Sequence, residues 1–259
     1  MKRCRVPHIV LYWTVLIGSL SIQSNVYAQE EVGFGCLGFV GGFAGYEFHQ
    51  VEAPGLNRYV ANLNQRLMDT TGQSFAPFDM IKGFRFGINF LRQDIAGVRF
   101  TLKGFYHTLS QKTEYEYEGQ DEVFKNSLQL DRNNFGLGID LGMSLFSLVS
   151  WKIIDAALVF TNTSLKKTLN GSNYSINEKY KAVENKIGYS IGSGIIIHII
   201  GDYVTLEGMA AYSKYSVAEL KNAAGGYFTD GEGSGEVVTD FITAGGFNAA
   251  VQMNIGFPF

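Results

Sequence analysis

The last thirteen residues constrain the architecture more than any other stretch of this chain. From Phe247 to Phe259 every odd position is apolar: Phe247, Ala249, Val251, Met253, Ile255, Phe257 and Phe259. Asn248, Ala250, Gln252, Asn254, Gly256 and Pro258 lie between them. A period of two is a strand with one apolar face, and no helical period fits these positions. The pattern recurs. Phe84, Phe86, Ile88 and Phe90 alternate with Gly83, Arg85, Gly87 and Asn89. Val98, Phe100, Leu102 and Tyr106 alternate with Arg99, Thr101, Lys103 and His107, with Phe105 out of phase. Phe135, Leu137, Ile139, Leu141, Met143 and Leu145 alternate with small residues and Asp140. Further apolar faces are Ile154, Ala156, Leu158 and Phe160; Ile187, Tyr189, Ile191, Ile195 and Ile197; and Val204, Leu206, Ala210 and Tyr212. A Gly-rich first strand, about 33–48, has an ambiguous phase, and a bulge is expected near Gly41-Gly42.

That makes eight strands, and their connections alternate in length. Short turns are expected around Gln93-Asp94, at 147–150 and at Gly201-Asp202. Long connections are expected at about 49–79, 110–127, 164–182 and 214–240. Short turns at one end and long polar loops at the other is the layout of an all-β, antiparallel, up-and-down transmembrane barrel. Both mature termini then fall on the short-turn side, the periplasm. In the first long loop, Leu56, Tyr59, Val60, Leu63, Leu67 and Met68 follow helical spacing between Pro54 and Gly72. This short amphipathic helix has two readings, one at headgroup level and one packed over the barrel mouth.

A soluble sandwich also alternates apolar and polar residues, so charge must decide between the two. Charged residues are only 17% of the chain, and the apolar faces of 135–145 and 247–259 hold none. Charges fall instead on the faces rich in Gly and Ser, as in a narrow lumen. Tyr46, Tyr106, Tyr189 and Tyr212 lie towards the long loops, and Trp151, Tyr203, Phe257 and Phe259 towards the short turns. Two aromatic girdles at the membrane interfaces would be placed this way.

The N-terminus begins with a basic Lys2, Arg3, Arg5 cluster and an apolar run from Ile9 to Ile22. Val26-Tyr27-Ala28 ends in small residues at the right positions. Residues 1–28 are therefore expected to be a cleaved signal peptide, and 29–259 the barrel. Only Cys36 remains after Cys4 is removed, so no internal disulfide is expected. A formal net charge of −3 leaves no nucleic-acid footprint.

The last strand, Gln252-Met253-Asn254-Ile255-Gly256-Phe257-Pro258-Phe259, resembles that of small Gram-negative outer-membrane β-barrels. The Gly-Phe-rich first strand and the looped helix are similar to the Bacteroidetes outer membrane protein beta-barrel domain (PorT-like) family. The resemblance implies an outer-membrane location and a barrel read by the barrel-assembly machinery through Phe257 and Phe259. It also implies a monomer in contact with lipid and lipopolysaccharide. Pro258 departs from the usual last strand.

For chemistry, the expected lumen charges are Arg85, Arg99, Lys103 and Lys186 against Asp140, Asp155, Glu184 and Glu207. Eight strands leave an interior that side chains roughly fill. Mutual neutralisation in a plugged core is the first reading, a non-catalytic envelope or surface-contact protein. A narrow channel or transporter for small solutes is the alternative. An enzyme acting on outer-leaflet lipid is the second alternative. His107 with Ser110 is its one candidate pair near the outer rim, with His49 opening the first loop and His198 near a short turn. No hydrolase motif surrounds them. No cofactor is expected, and neither zinc spacing nor a phosphate loop is present. Asp230 to Glu236 is an acidic Gly-rich loop without the spacing of a calcium motif. Tyr115, Tyr117, Tyr174 and Tyr180 are candidates for contact with a partner.

Overall fold

The computed structural model describes residues 41–71, 74–118, 123–170, 175–184, 186–230 and 235–256. The signal-peptide reading, Cys36, Tyr174, Phe257 and Phe259 lie outside them. Strand β1 (Gly41–Gln50) is followed by helix α1 (Pro54–Thr71), then β2 (Met80–Ile95), β3 (Val98–Glu118), β4 (Val123–Phe146) and β5 (Val149–Asn170). After these come β6 (Ser175–Ala182), β7 (Lys186–Ile200), β8 (Val204–Lys214), β9 (Leu220–Asn222) and β10 (Gly246–Gly256). All pairings are antiparallel. The chain β1-β2-β3-β4-β5-β7-β8-β10 closes when β10 pairs β1, giving an eight-stranded barrel without an open edge. Strands β6 and β9 are extra: β6 takes over β5 from Ser164 onwards, and β9 pairs β6.

The three short turns lie at one end. Ala96 and Gly97 both have positive φ, 51° and 82°, as the two-residue turn that joins β2 to β3 demands. This turn lies just beyond the expected Gln93-Asp94. Strand β1 keeps register with both neighbours from Gly41 to His49, so it has no bulge among its described residues. The irregularity is in β2, between Asn89 and Leu91. It inserts Phe90 and returns Leu91 to the outer face, which re-phases the strand.

The alternating residues fall as expected on the wall. Phe84, Phe86, Leu137, Leu158, Ile187, Ile191, Phe247, Val251 and Met253 are exposed outwards, whereas Asn248, Gln252 and Asn254 are buried inwards. So wide an apolar belt suits hydrocarbon and not water. Phe105 breaks the alternation because it points into the lumen. Phe86, Tyr106, Phe135 and Phe160 sit side by side on four neighbouring strands, and Tyr212 sits beside Phe247. They form an aromatic band at the end away from the turns.

Beyond this band the polarity inverts. The expected loops 110–127 and 164–182 are largely strand, because β3 runs on to Glu118 and pairs β4 from Val123, while β5 and β6 form a second hairpin. Their outer face is polar and their inner face apolar. Leu109, Leu128, Leu130 and Leu165 point inwards and meet Leu56, Tyr59 and Val60 of α1, together with Phe75, Phe78, Val217, Leu220, Phe228, Phe241 and Ile242. Each side chain of this size contributes about 1.5–3 kcal/mol when fully buried. The helix thus packs over the barrel mouth. Pro54 suits its first turn, where no N–H is needed, and the Asn57 N–H closes the first bond to the Ala53 carbonyl at 2.9 Å. Two asparagines hold it down. Asn57 donates to the Phe78 carbonyl at 2.9 Å and accepts from the Phe78 N–H at 2.8 Å. Asn64, two turns on, makes the same pair with Phe75 at 2.9 and 2.7 Å.

Candidate functional site

Inward-facing residues stack in layers from the turn end to the cap. The first layer is ionic. Lys103 reaches Asp140 at 2.6 Å and also pairs Asp155. Lys152 reaches Asp140 at 2.9 Å and Asp155 at 3.4 Å, and pairs Glu207. Gln252 and Asn254 donate to Glu207 at 3.1 and 3.2 Å, and Asn254 donates to Thr205 at 3.0 Å. All these groups are buried. An isolated charge here would be prohibitive, and the interlocked pairs are what make the layer tolerable.

Below this layer, a cavity of about 380 Å³ opens towards the turns, lined by residues that include Asn89, Arg92, Asp94, Arg99, Ser150, His198 and Asp202. Arg99 lies at its rim. It grips Asp94 at 2.9 and 3.1 Å and Asp202 at 3.2 Å. Burial pushes the Asp202 carboxyl up, but hydrogen bonds and charge from Arg99 outweigh it and hold the group below its ordinary range.

Above the ionic layer the lumen narrows to Phe43, Phe105, Ala157 and Val159. Gly87 and Gly136 leave room for the two rings: a Cβ at either would fall 2.1 Å from the ring of Phe43 or Phe105. The Arg85 guanidinium lies 5.2 and 4.9 Å from these ring centres. Next comes a layer of Glu47, His49, His107 and Arg132, all buried. Arg132 donates to His49 Nδ1 at 2.7 Å and to the Tyr215 hydroxyl, whose ring belongs to the cap core.

Of the eight expected lumen charges, Arg85, Lys103, Asp140, Asp155 and Glu207 are buried inside. Arg99 is at the rim. Glu184 and Lys186 are not in the lumen: they pair with each other, exposed, at the seam where β5 exchanges β7 for β6. Lys152 was missed because its strand starts at Val149, four residues before the alternation becomes legible at 153. Glu47 and Arg132 were missed, and His49 was misplaced, because β1 and β4 extend through segments with a weak or polar pattern. His49 does not open a loop; it lies within β1.

The His107–Ser110 pair does not form. Three positions apart on one strand, they face opposite ways: His107 is in the lumen, while Ser110 donates to Asp131 at 2.8 Å. Tyr115 is buried in the cap and Tyr180 packs against it, so neither is a free contact residue. The acidic Gly loop is closed by an Asp230 N–H to Glu236 carbonyl bond of 3.0 Å, and Asp230 lies 3.7 Å from Arg58.

The sequence matches no protein-family model, and no curated protein matches it. Among solved structures it is similar to Ail, the attachment invasion locus protein of Yersinia pestis, crystallised in complex with the heparin analogue sucrose octasulfate. The TM-score is 0.40 at 11% identity, over 85% of this chain and 99% of that one. It is also similar to the outer membrane protease OmpT from Escherichia coli, with a TM-score of 0.33 at 9% identity, over 69% of this chain and 64% of that one.

Proposed function

We propose that the protein is a non-catalytic, monomeric barrel of a Gram-negative outer membrane that holds a rigid capped platform outside the bilayer for surface contact. One observation carries this reading. Among the described residues the lumen is filled in succession by the ionic layer, the Phe43–Phe105 constriction, the Arg132 layer and the cap core. Solute passage would require all four to move. In planar bilayers the purified protein is expected to give no steady conductance, and reproducible channels would defeat the reading in favour of a narrow transporter. Incubation with lipopolysaccharide, followed by mass analysis, is expected to leave the lipid unchanged.

The platform supplies the contact surface. Lys112, Gln129, Lys166 and Lys179 stand in one row across β3 to β6. Lys166 and Lys179 are direct partners, and like charges so placed repel. Neither makes an ion pair among the described residues. Phosphorylated saccharide of lipopolysaccharide would relieve that repulsion. With the platform outside, both mature termini are periplasmic, and the C-terminal strand meets the barrel-assembly machinery. A cysteine at Lys166, in a chain whose Cys36 is replaced, should react with an impermeant reagent on intact cells. One at Asp202 should react only after the outer membrane is opened. The Gly-Phe-rich first strand keeps the PorT-like barrels as the family reading.

A further inference from the structure

We propose that Glu47, His49 and His107 form a binding site for one first-row divalent transition metal ion, of which Zn²⁺ is the type. Two residues come from alternate positions of β1 and face the lumen together. The third comes from β3, on the far side of β2. Opposite Glu47 on β2 stands Gly83, which has no side chain to fill the lane between them. Arg85, opposite His107, directs its guanidinium over Phe43 and Phe105 instead.

Three atoms converge. Glu47 Oε1 lies 3.1 Å from His49 Nε2 and 2.5 Å from His107 Nδ1. All three lie within 4.8 Å of one another and are buried. A hydrogen-bonded cluster would point each ring N–H at the oxygen. Here none of the three atoms has a hydrogen-bond partner, despite the short separations. Two imidazoles and a carboxylate are a common donor set for zinc and its neighbours, with positions left for water. A void of about 20 Å³ beside His49 and His107 is large enough for one water.

Arg132 can only donate, so without metal His49 Nδ1 accepts and Nε2, turned towards Glu47, carries the ring proton. A metal at Nε2 takes the place of that proton, which leaves or moves to Nδ1 as the Arg132 contact opens. His107 offers Nδ1 to the same centre.

The test uses the full mature chain, refolded in detergent after chelation and checked by heat-modified gel mobility. Equilibrium dialysis against Zn²⁺ should give one ion per chain. X-ray absorption at the zinc edge should show nitrogen and oxygen ligands that include imidazole, and no sulfur. His107→Gln and Glu47→Gln should each weaken uptake by more than about tenfold while keeping the folded mobility. Substoichiometric uptake by the wild-type chain, or full uptake by His107→Gln, would overturn the proposal. So would one-to-one uptake with a zinc-edge spectrum that lacks imidazole. If the variants do not fold, wild-type stoichiometry and the zinc-edge spectrum still decide. Failure here leaves the non-conducting barrel standing, because the conductance experiment is independent of the metal.

Discussion

The two halves of the molecule use the same strands in opposite senses. Towards the turns, β3, β4 and β5 carry apolar side chains outwards and charges inwards. Past the aromatic band, the same strands carry lysines and hydroxyls outwards and leucines inwards. Lys103 and Leu109 are both lumen-side residues of β3, six positions apart, and they belong to different kinds of core. The strand has not twisted over; its solvent has changed. In hydrocarbon the outer face must be apolar, and a narrow interior can hold charge only as interlocked pairs. In water the outer face can be polar, and the interior closes as in any soluble domain. Helix α1 exists because the upper half needs apolar surface to close on, which an eight-stranded wall alone does not supply.

The comparison is broken most severely by unbalancing the ionic core. Lys103→Met leaves Asp140 and Asp155 with Lys152 as their close cation. Removing one partner of a buried ionic set costs about 3–5 kcal/mol. A large drop in the heat-modification midpoint is expected, and adding Asp155→Asn should recover part of it. If the single variant is as stable as wild type, the lower interior is wetter than a filled core. In the upper half, Leu165→Ala should cost about 2–5 kcal/mol, as deletion from a close-packed core does. It should also loosen the cap, raising protease nicking near α1 while the membrane wall stays resistant. Equal loss of both regions would mean that the two cores melt as one.

The lower half was legible because lipid enforces strict alternation: Val251 and Gln252 could be assigned to opposite faces from their neighbours alone. The upper half was not, for a physical reason. Lys112, Thr113, Glu114 and Tyr115 alternate in burial, but their outer face is as polar as a loop. A strand in water with Thr and Tyr on its inner side has no hydropathy signature strong enough to separate it from a connection. The candidate metal residues were hidden differently. Glu47 and His49 lie two apart on one strand, but His107 is brought to them only by the register of β1 with β2 and of β2 with β3, across a glycine. The ambiguous phase of the first strand concealed even that pair.

Val251→Arg against Gln252→Arg tests the wall itself. The first places a charge in hydrocarbon, at about 2–4 kcal/mol near the midplane and less towards an interface. The second enters a site beside Glu207 and an opening cavity, where a guanidinium has an acid to meet. It should cost less unless crowding dominates. Outer-membrane yield and heat-modified mobility give the comparison. Normal folding of Val251→Arg with failure of Gln252→Arg would reverse the two faces.

The smallest effect is expected at the turn-end rim, which belongs to neither core. Asp202 is held by Arg99, and His198 Nδ1 lies 3.0 Å from it. Its carboxyl is depressed below the ordinary 3.8, because the Arg99 contacts outweigh burial. A carboxyl depressed in the folded state stabilises when ionised in both states. Its contribution is therefore complete above the ordinary value and disappears as pH falls through the folded one. Half of the Asp202 side chain is open to water, so the effect is a fraction of what the buried pairs supply. Asp202→Asn should lower the midpoint slightly at pH 7, and the gap from wild type should close only below about pH 4. Raised salt should shrink the gap at pH 7 while leaving the Lys103→Met defect nearly intact, since screening acts on exposed charges far more than on buried ones. A gap that persists at pH 2, or that ignores salt, would place Asp202 in a structural hydrogen bond of the turn and not in an ion pair.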